Sequence, residues 1–132
     1  MRQSFIHECA YLNYYEMHRR MKDHVAYKAL PVKVAQWVLR LLDQNWQGYF
    51  AACADRESGL SRFLGYPKLP RYKDKQRGRN LLIHTIQALS LPDLGRGLTM
   101  PSMLGITVKT KCQSVQQVRI VPRLGFYIME VI

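Results

Sequence analysis

The sequence predicts an α+β protein, with an N-terminal helical hairpin followed by a curved antiparallel β-sheet or partial barrel. Apolar residues recur at steps of three or four up to about residue 56, which is the period of a helix. Beyond residue 81 the period moves toward two, which is the period of a strand. The chain has 132 residues, 48% of them hydrophobic, and can therefore bury a core.

The first predicted helix runs from Phe5 to His24. Its apolar residues share one stripe: Ile6, Ala10, Tyr14, Met17 and Met21. Basic residues cluster in the last turns, where cations complement the helix dipole.

The second predicted helix runs from Pro31 to about Arg56, and Pro31 suits a first helical turn. Its wide apolar face comprises Val34, Trp37, Val38, Leu41, Leu42, Trp46, Tyr49 and Cys53. We expect the two helices, joined around Lys28, to pack antiparallel. Trp37, Leu41 and Trp46 are predicted core residues, because tryptophan in particular buries a large area.

Four β-rich runs follow: Leu81–Gln87, Ile106–Lys111, Ser114–Val121 and Phe126–Ile132. The turn residues Pro122 to Gly125 predict a hairpin between the last two runs. The chain then divides into a helical subdomain (1–58), a basic loop (59–80) and a β subdomain (81–132).

Charge is the most informative bulk property, since the formal net charge is +11 and the isoelectric point is near 9.9. Residues 1–55 carry a net +2 and residues 56–132 a net +9. Such an excess of Lys and Arg is typical of proteins that bind polyanions, because each neutralised phosphate releases condensed counterions. A membrane surface would require a helix with a continuous basic face, and the sequence predicts none.

The basic loop interleaves cations with tyrosines, and its prolines and glycines disfavour a regular helix. We expect its Lys and Arg to contact phosphates while Tyr66 or Tyr72 stacks on a base or sugar. A positive loop that no ligand meets is the alternative. The candidate nucleic-acid-binding residues in this segment are Arg62, Tyr66, Lys68, Arg71, Tyr72, Lys73, Lys75, Arg77 and Arg79.

A second candidate set lies on predicted strands and comprises Lys109, Lys111 and Arg119. Alternating lysines also protect the solvent-facing edges of sheets, so this set has two interpretations.

Catalytic and cofactor motifs are missing from the sequence. The second half has four acids, none closely paired, whereas metal nucleases gather two or three carboxylates. The histidines form neither HxH nor HExxH, and no GxxxxGK[ST] phosphate-binding motif occurs. We therefore expect neither enzymatic activity, nor a cofactor, nor a metal.

Cysteine spacing and hydropathy predict the compartment. Cys9, Cys53 and Cys112 are too far apart for a CxxC site and are expected to be buried free thiols. We find no apolar run of signal-peptide length at the N-terminus, nor one of the roughly 18 residues that a membrane span needs. The expected location is the cytoplasm.

Four motifs in order carry a family resemblance: KALPVKVAQWVLRLLDQNWQGYF, GYPKLPRYK, LTMPSMLGITVK and VQQVRIVPRLGFYIMEVI. Together they resemble the front part of the TnpB (OrfB) transposase-associated proteins of insertion sequences, over about residues 30–132. The resemblance implies a helical recognition lobe and an oligonucleotide-binding-like β wedge. In that family these parts hold a guide RNA and its duplex with target DNA, recognised mainly by backbone shape.

The chain departs from the family at both ends. Family members continue beyond the equivalent of Ile132 into a RuvC-like nuclease domain, and they carry a basic first strand before the equivalent of Arg2. The expected function is therefore non-catalytic binding of guide RNA or an RNA–DNA duplex. Two alternatives stay open: a standalone DNA-binding transposase remnant, which could form a homodimer through an apolar helix face, and the recognition half of a nuclease that needs a RuvC-like domain.

Overall fold

The architecture is α+β, as the sequence predicts. The computed structural model describes residues 1–59, 63–74, 78–112 and 114–132. Within these ranges, four helices occupy the N-terminal part, and a three-stranded antiparallel sheet follows in the C-terminal part. The longest helix contacts the first strand, so the helical and β parts pack on each other.

The N-terminal arm corrects one prediction, because residues 5–24 do not form one helix. They form α1 (Arg2–Glu8), α2 (Tyr14–Met21) and the short α3 (Val25–Lys28). Cys9 ends α1 in the left-handed region, with φ 50°. Asn13 then starts α2 with a capping box: its side chain accepts from the Glu16 amide, and the Glu16 carboxylate accepts from the Asn13 amide.

The second helix is confirmed as α4 (Val32–Glu57). Its buried residues are Val34, Ala35, Leu39 and Trp46. Ala35 and Leu39 lie outside the predicted apolar face and pack with Tyr27 against α2 and α3. Trp37 and Leu41, predicted as core residues, are only half-buried. The reason is that α2 and α3 cover the neighbouring face of α4, which contains Ala35 and Leu39.

Trp46 is the aromatic centre of the helical part and is 1% exposed. Phe5 of α1 meets its ring edge-on at 5.0 Å between centroids. Phe50 and Tyr11 add rings at 5.8 and 6.2 Å. Aromatic pairs at these separations are stabilising, so this cluster anchors α1 and the segment after it to α4.

The β part keeps the predicted runs but shortens each of them. The main sheet contains β1 (Leu82–Thr85), β4 (Gln117–Pro122) and β5 (Tyr127–Val131), in the order β1-β4-β5. The predicted hairpin joins β4 to β5, and Gly125 takes φ 84° in its turn. Run 106–111 contributes only β3 (Val108–Lys109), which pairs with an unpredicted β2 (Leu98–Thr99). A short helix α5 (Leu91–Gly95) was also missed.

Both faces of the main sheet are covered at its centre. Val118 and Ile120 of β4 pack with Leu89 and Val115 from the flanking loops. Ile83 of β1 points to the opposite face and is also buried, on the strand that contacts α4. The strands described form an open sheet and not a closed barrel.

The imidazole of His84 on β1 is fully buried. Neither ring nitrogen is bonded to any of the residues that the structure describes. Burial lowers the pKa of His84 below its usual value, and the nearby backbone of Ser102 offsets this only in part. The folded protein therefore holds the neutral imidazole, whereas the unfolded chain takes up a proton near pH 6.5.

We expect the free energy of unfolding to fall as the pH is lowered from 7.5 to 5.5, because the unfolded state then binds the extra proton. The slope from this one group cannot exceed about 1.4 kcal/mol per pH unit. Denaturant titrations at both pH values measure it. His84→Leu should flatten the dependence, whereas His7→Gln, at an exposed position, should not. An equal pH dependence in His84→Leu would contradict the assignment.

The prediction that the three cysteines are buried is wrong, since Cys9 and Cys112 are exposed and Cys53 is partly exposed.

No helix within the described ranges is long and apolar enough to cross a membrane.

Candidate nucleic-acid interface

The described part of the basic loop, residues 63–74 and 78–80, has no regular helix, as its prolines and glycines predict. Residues 63–74 and 78–81 contain neither helix nor strand. Tyr66, Lys68, Arg71, Tyr72, Lys73 and Arg79 are all exposed. Arg62, Lys75 and Arg77 were also predicted to contact the ligand, and they lie outside the described residues.

Arg56, in the last turn of α4, holds the start of this loop. Its guanidinium lies 3.2 Å from the centroid of the Tyr66 ring. A hydrogen bond and charge attraction from the same guanidinium lower the pKa of the Tyr66 hydroxyl. Tyr66 remains 79% exposed, so the stacked pair presents a flat surface of the kind on which a base can stack.

Arg2, at the start of α1, holds the middle of the loop. Its Nη1 donates to the Pro70 carbonyl oxygen at 2.9 Å, and its guanidinium lies 5.5 Å from the Tyr72 ring centroid. Two arginines from opposite ends of the helical part thus tether a loop whose described residues, 63–74 and 78–80, form neither helix nor strand.

One basic groove lies between the loop and the β4–β5 hairpin, and we call it the loop–hairpin groove. Its volume is about 500 Å³, and it is lined by Lys73, Arg79, Pro122, Arg123 and Leu124. No acid occurs among these lining residues. Three cations line this one space, so it favours an anion over a cation.

A close backbone approach brings Lys73 to Arg79. The Gly78 amide donates to the Asp74 carbonyl oxygen at 2.9 Å, and a Cβ on Gly78 would collide with that oxygen. Lys73 Nζ donates to the Arg79 carbonyl oxygen. An ammonium has three N–H donors, so this bond leaves two for a phosphate.

The loop–helix groove lies where the loop crosses α4. It has a volume of about 360 Å³ and is lined by Asn45, Tyr49, Ala52, Pro67, Lys68, Pro70 and Arg71. Two predicted cations, Lys68 and Arg71, therefore face the same side of the loop. The amide of Asn45 and the ring of Tyr49 add polar and aromatic surface to their site.

The third groove, the β2–β3 groove, belongs to the small two-stranded sheet. It has a volume of about 490 Å³ and is lined by Arg96, Gly97, Leu98, Lys109, Thr110 and Lys111. The predicted pair Lys109 and Lys111 is thus joined by Arg96. Glycine suits position 97, where φ is 72°, and the Gly97 carbonyl oxygen accepts from the Thr110 amide at 2.8 Å.

Arg119 does not join this set. It is half-buried in the central strand β4, opposite Ile83 and Glu130 in register, and lines none of the three grooves. With the Gln117 amide turned so that its oxygen faces the guanidinium, that oxygen accepts from Arg119 Nε and Nη2 at 3.2 and 2.7 Å. This contact favours a structural role for the side chain.

Four arginines of the candidate interface were missed by sequence analysis: Arg2, Arg56, Arg96 and Arg123. Arg123 sits in the predicted hairpin turn, and Arg96 lies between two glycines. Both are exposed bases in turns, which is a usable sequence signal. Arg2 and Arg56 gave no such signal, because only the folded chain brings them to the loop.

Comparison of the chain with protein-family models, curated proteins and solved structures gave no match. The resemblance to the TnpB proteins therefore rests on the four sequence motifs alone. Within the described parts of the chain, no three His, Cys, Asp or Glu side chains are grouped so that they could hold a metal ion.

Proposed function

We propose that this protein binds nucleic acid, without catalysis, through its basic loop and the adjoining grooves. The loop–hairpin groove is the observation that carries the proposal: Lys73, Arg79 and Arg123 face one space whose lining residues include no acid. Phosphate oxygens are the ligands that such a cluster favours, because each contact is a charge-assisted hydrogen bond.

A polymer suits the surface better than a small anion. Three grooves carry cations from separate parts of the chain, and Tyr66 and Tyr72 lie exposed on the loop that borders two of them. Phosphate contacts combined with stacking platforms are typical of proteins that bind single strands or RNA.

The favoured ligand is a guide RNA or an RNA–DNA duplex, as the TnpB resemblance implies, and the expected location remains the cytoplasm. Such ligands are recognised by backbone geometry, which needs cations spread along a surface. Sequencing of co-purified nucleic acid separates the alternatives, since a standalone DNA-binding remnant would carry DNA. Cleavage with Mg²⁺ or Mn²⁺ that follows the protein through purification, and is lost in Glu130→Gln, would contradict the non-catalytic assignment.

The binding proposal predicts a steep salt dependence. Log K should fall linearly with log salt, by about 0.7–0.9 for each phosphate contacted. Fluorescence anisotropy with RNA, DNA and hybrid duplexes at several salt concentrations measures this slope. A slope near zero for all three ligands would overturn the proposal.

A further inference from the structure

A fourth cavity lies on the helical part and shares no lining residue with the three basic grooves. Residues of α2 and α4 line it: Tyr14, Tyr15, Trp37, Arg40, Asp43 and Gln44. We call it the aromatic pocket. Its volume is about 210 Å³. This space suits one flat ring system and is too small for a duplex.

Stacking surfaces dominate its walls. The Arg40 guanidinium lies 4.4 Å from the Tyr14 ring centroid and 6.0 Å from that of Trp37. Tyr15 is 73% exposed beside Tyr14, with the two ring centroids 5.1 Å apart. An exposed arginine held over aromatic rings extends their flat surface.

A fixed carboxylate provides the polar group of the pocket. Asp43 Oδ1 accepts from the Tyr11 hydroxyl, which in turn accepts from Gln47 Nε2 at 3.0 Å. The pKa of the Tyr11 hydroxyl is raised to about 12. Burial is the largest cause, and the hydrogen bond to Asp43 adds to it. Tyr11 therefore keeps its proton at neutral pH and continues to donate to Asp43. A carboxylate accepts several hydrogen bonds, so Asp43 retains acceptor sites for a ligand.

The charges of the pocket define the ligand class. Arg40 and Asp43 contribute opposite charges, so the pocket has no net charge that would favour a cation or an anion over a neutral ligand. A neutral flat heterocycle with N–H donors fits this lining, because it can stack on the aromatic rings and the Arg40 guanidinium while it donates hydrogen bonds to the Asp43 carboxylate.

We propose that the aromatic pocket takes up one unpaired nucleobase, and that guanine is favoured. Guanine presents two adjacent N–H donors on its pairing edge, which match the two oxygens of a carboxylate, whereas uracil presents one. The inference rests on the proposed nucleic-acid binding, since the base would belong to the strand that the basic grooves hold. The pocket adds base selectivity to phosphate contacts and stacking contacts that distinguish the bases little or not at all.

Tryptophan fluorescence tests the pocket directly. Trp37 lines it, whereas Trp46 is 1% exposed and packed under Phe5. GMP added to the 132-residue chain should quench the fluorescence of Trp37, and the quenching should saturate as the GMP concentration rises. UMP should quench more weakly, and ribose 5-phosphate should not quench at all. Trp37→Phe, which keeps Trp46, should abolish the quenching. Tyr15→Ala, at an exposed position, should weaken GMP binding at least about fivefold, as expected when one stacking partner is removed.

The outcomes separate this site from the basic grooves. Equal quenching by GMP and ribose 5-phosphate, or quenching that persists in Trp37→Phe, would contradict the proposal that the aromatic pocket binds a nucleobase. Equal quenching by GMP and UMP would overturn the guanine assignment. A variant with Lys73, Arg79 and Arg123 replaced by Gln should keep GMP quenching, so the pocket and the grooves can fail independently.

Discussion

Replacing Trp46 by alanine should lower the free energy of unfolding by about 3–5 kcal/mol, the range typical of truncating a large buried aromatic side chain. The indole is 1% exposed and contacts Phe5, Tyr11 and Phe50. Its removal leaves a cavity and frees α1 from α4. Because Arg2 of α1 tethers the basic loop at Pro70, the loop should also lose part of its order.

Denaturant unfolding of the wild type and the variant measures the effect. Trp37→Ala is the matched control, since Trp37 lies on the same helix but is only half-buried. Its free energy of unfolding should change much less. An effect of Trp37→Ala as large as that of Trp46→Ala would contradict the placement of the core.

Replacing Lys73, Arg79 and Arg123 together by Gln should reduce the salt slope of nucleic-acid binding by about two to three units, because each of these cations is expected to neutralise one phosphate. At 0.1 M salt this corresponds to a decrease in affinity on the order of 10²–10³-fold. The decrease should be similar for all sequences, because phosphate contacts carry no base information. Anisotropy titrations at several salt concentrations determine both quantities.

The control removes the same charge elsewhere. Arg19, Lys22 and Lys33 are exposed on the helical part and line none of the described grooves. Their replacement by Gln should change the slope by much less than two units. Equal effects of the two triple variants would show that net charge alone drives binding. An unchanged slope in the first variant would instead place the ligand at the loop–helix groove or the β2–β3 groove.

Local patterns in the sequence were sufficient for several elements. The apolar period and Pro31 predicted α4 to within one residue at each end. The turn residues 122–125 predicted the β4–β5 hairpin, and the prolines and glycines predicted a basic loop without a regular helix, as its described residues show. Each of these depends on near neighbours in the chain, whose effects on the backbone can be read directly.

The first helix shows why a period alone can mislead. Residues 5–24 have a helical stripe, but the capping box of Asn13 and Glu16 starts a new helix within it. That box is visible in the sequence as N-x-x-E, and it is the signal that could have corrected the prediction. Because the helix is interrupted between α1 and α2, Leu12 is buried and the Tyr11 hydroxyl donates a hydrogen bond to Asp43.

Composition and local pattern were enough to establish the fold class, the long helix, the hairpin and the concentration of positive charge in the second half of the chain. Folding decided which cations share a groove: it brought Arg123 to Lys73 and Arg79, brought Arg96 to Lys109 and Lys111, and left Arg119 half-buried in the sheet. It also placed Arg40 against Tyr14 and Tyr11 against Asp43, which created the aromatic pocket. The difference arises because charge and hydropathy are properties of single residues, whereas a binding site depends on distances between residues far apart in the chain, which packing alone sets.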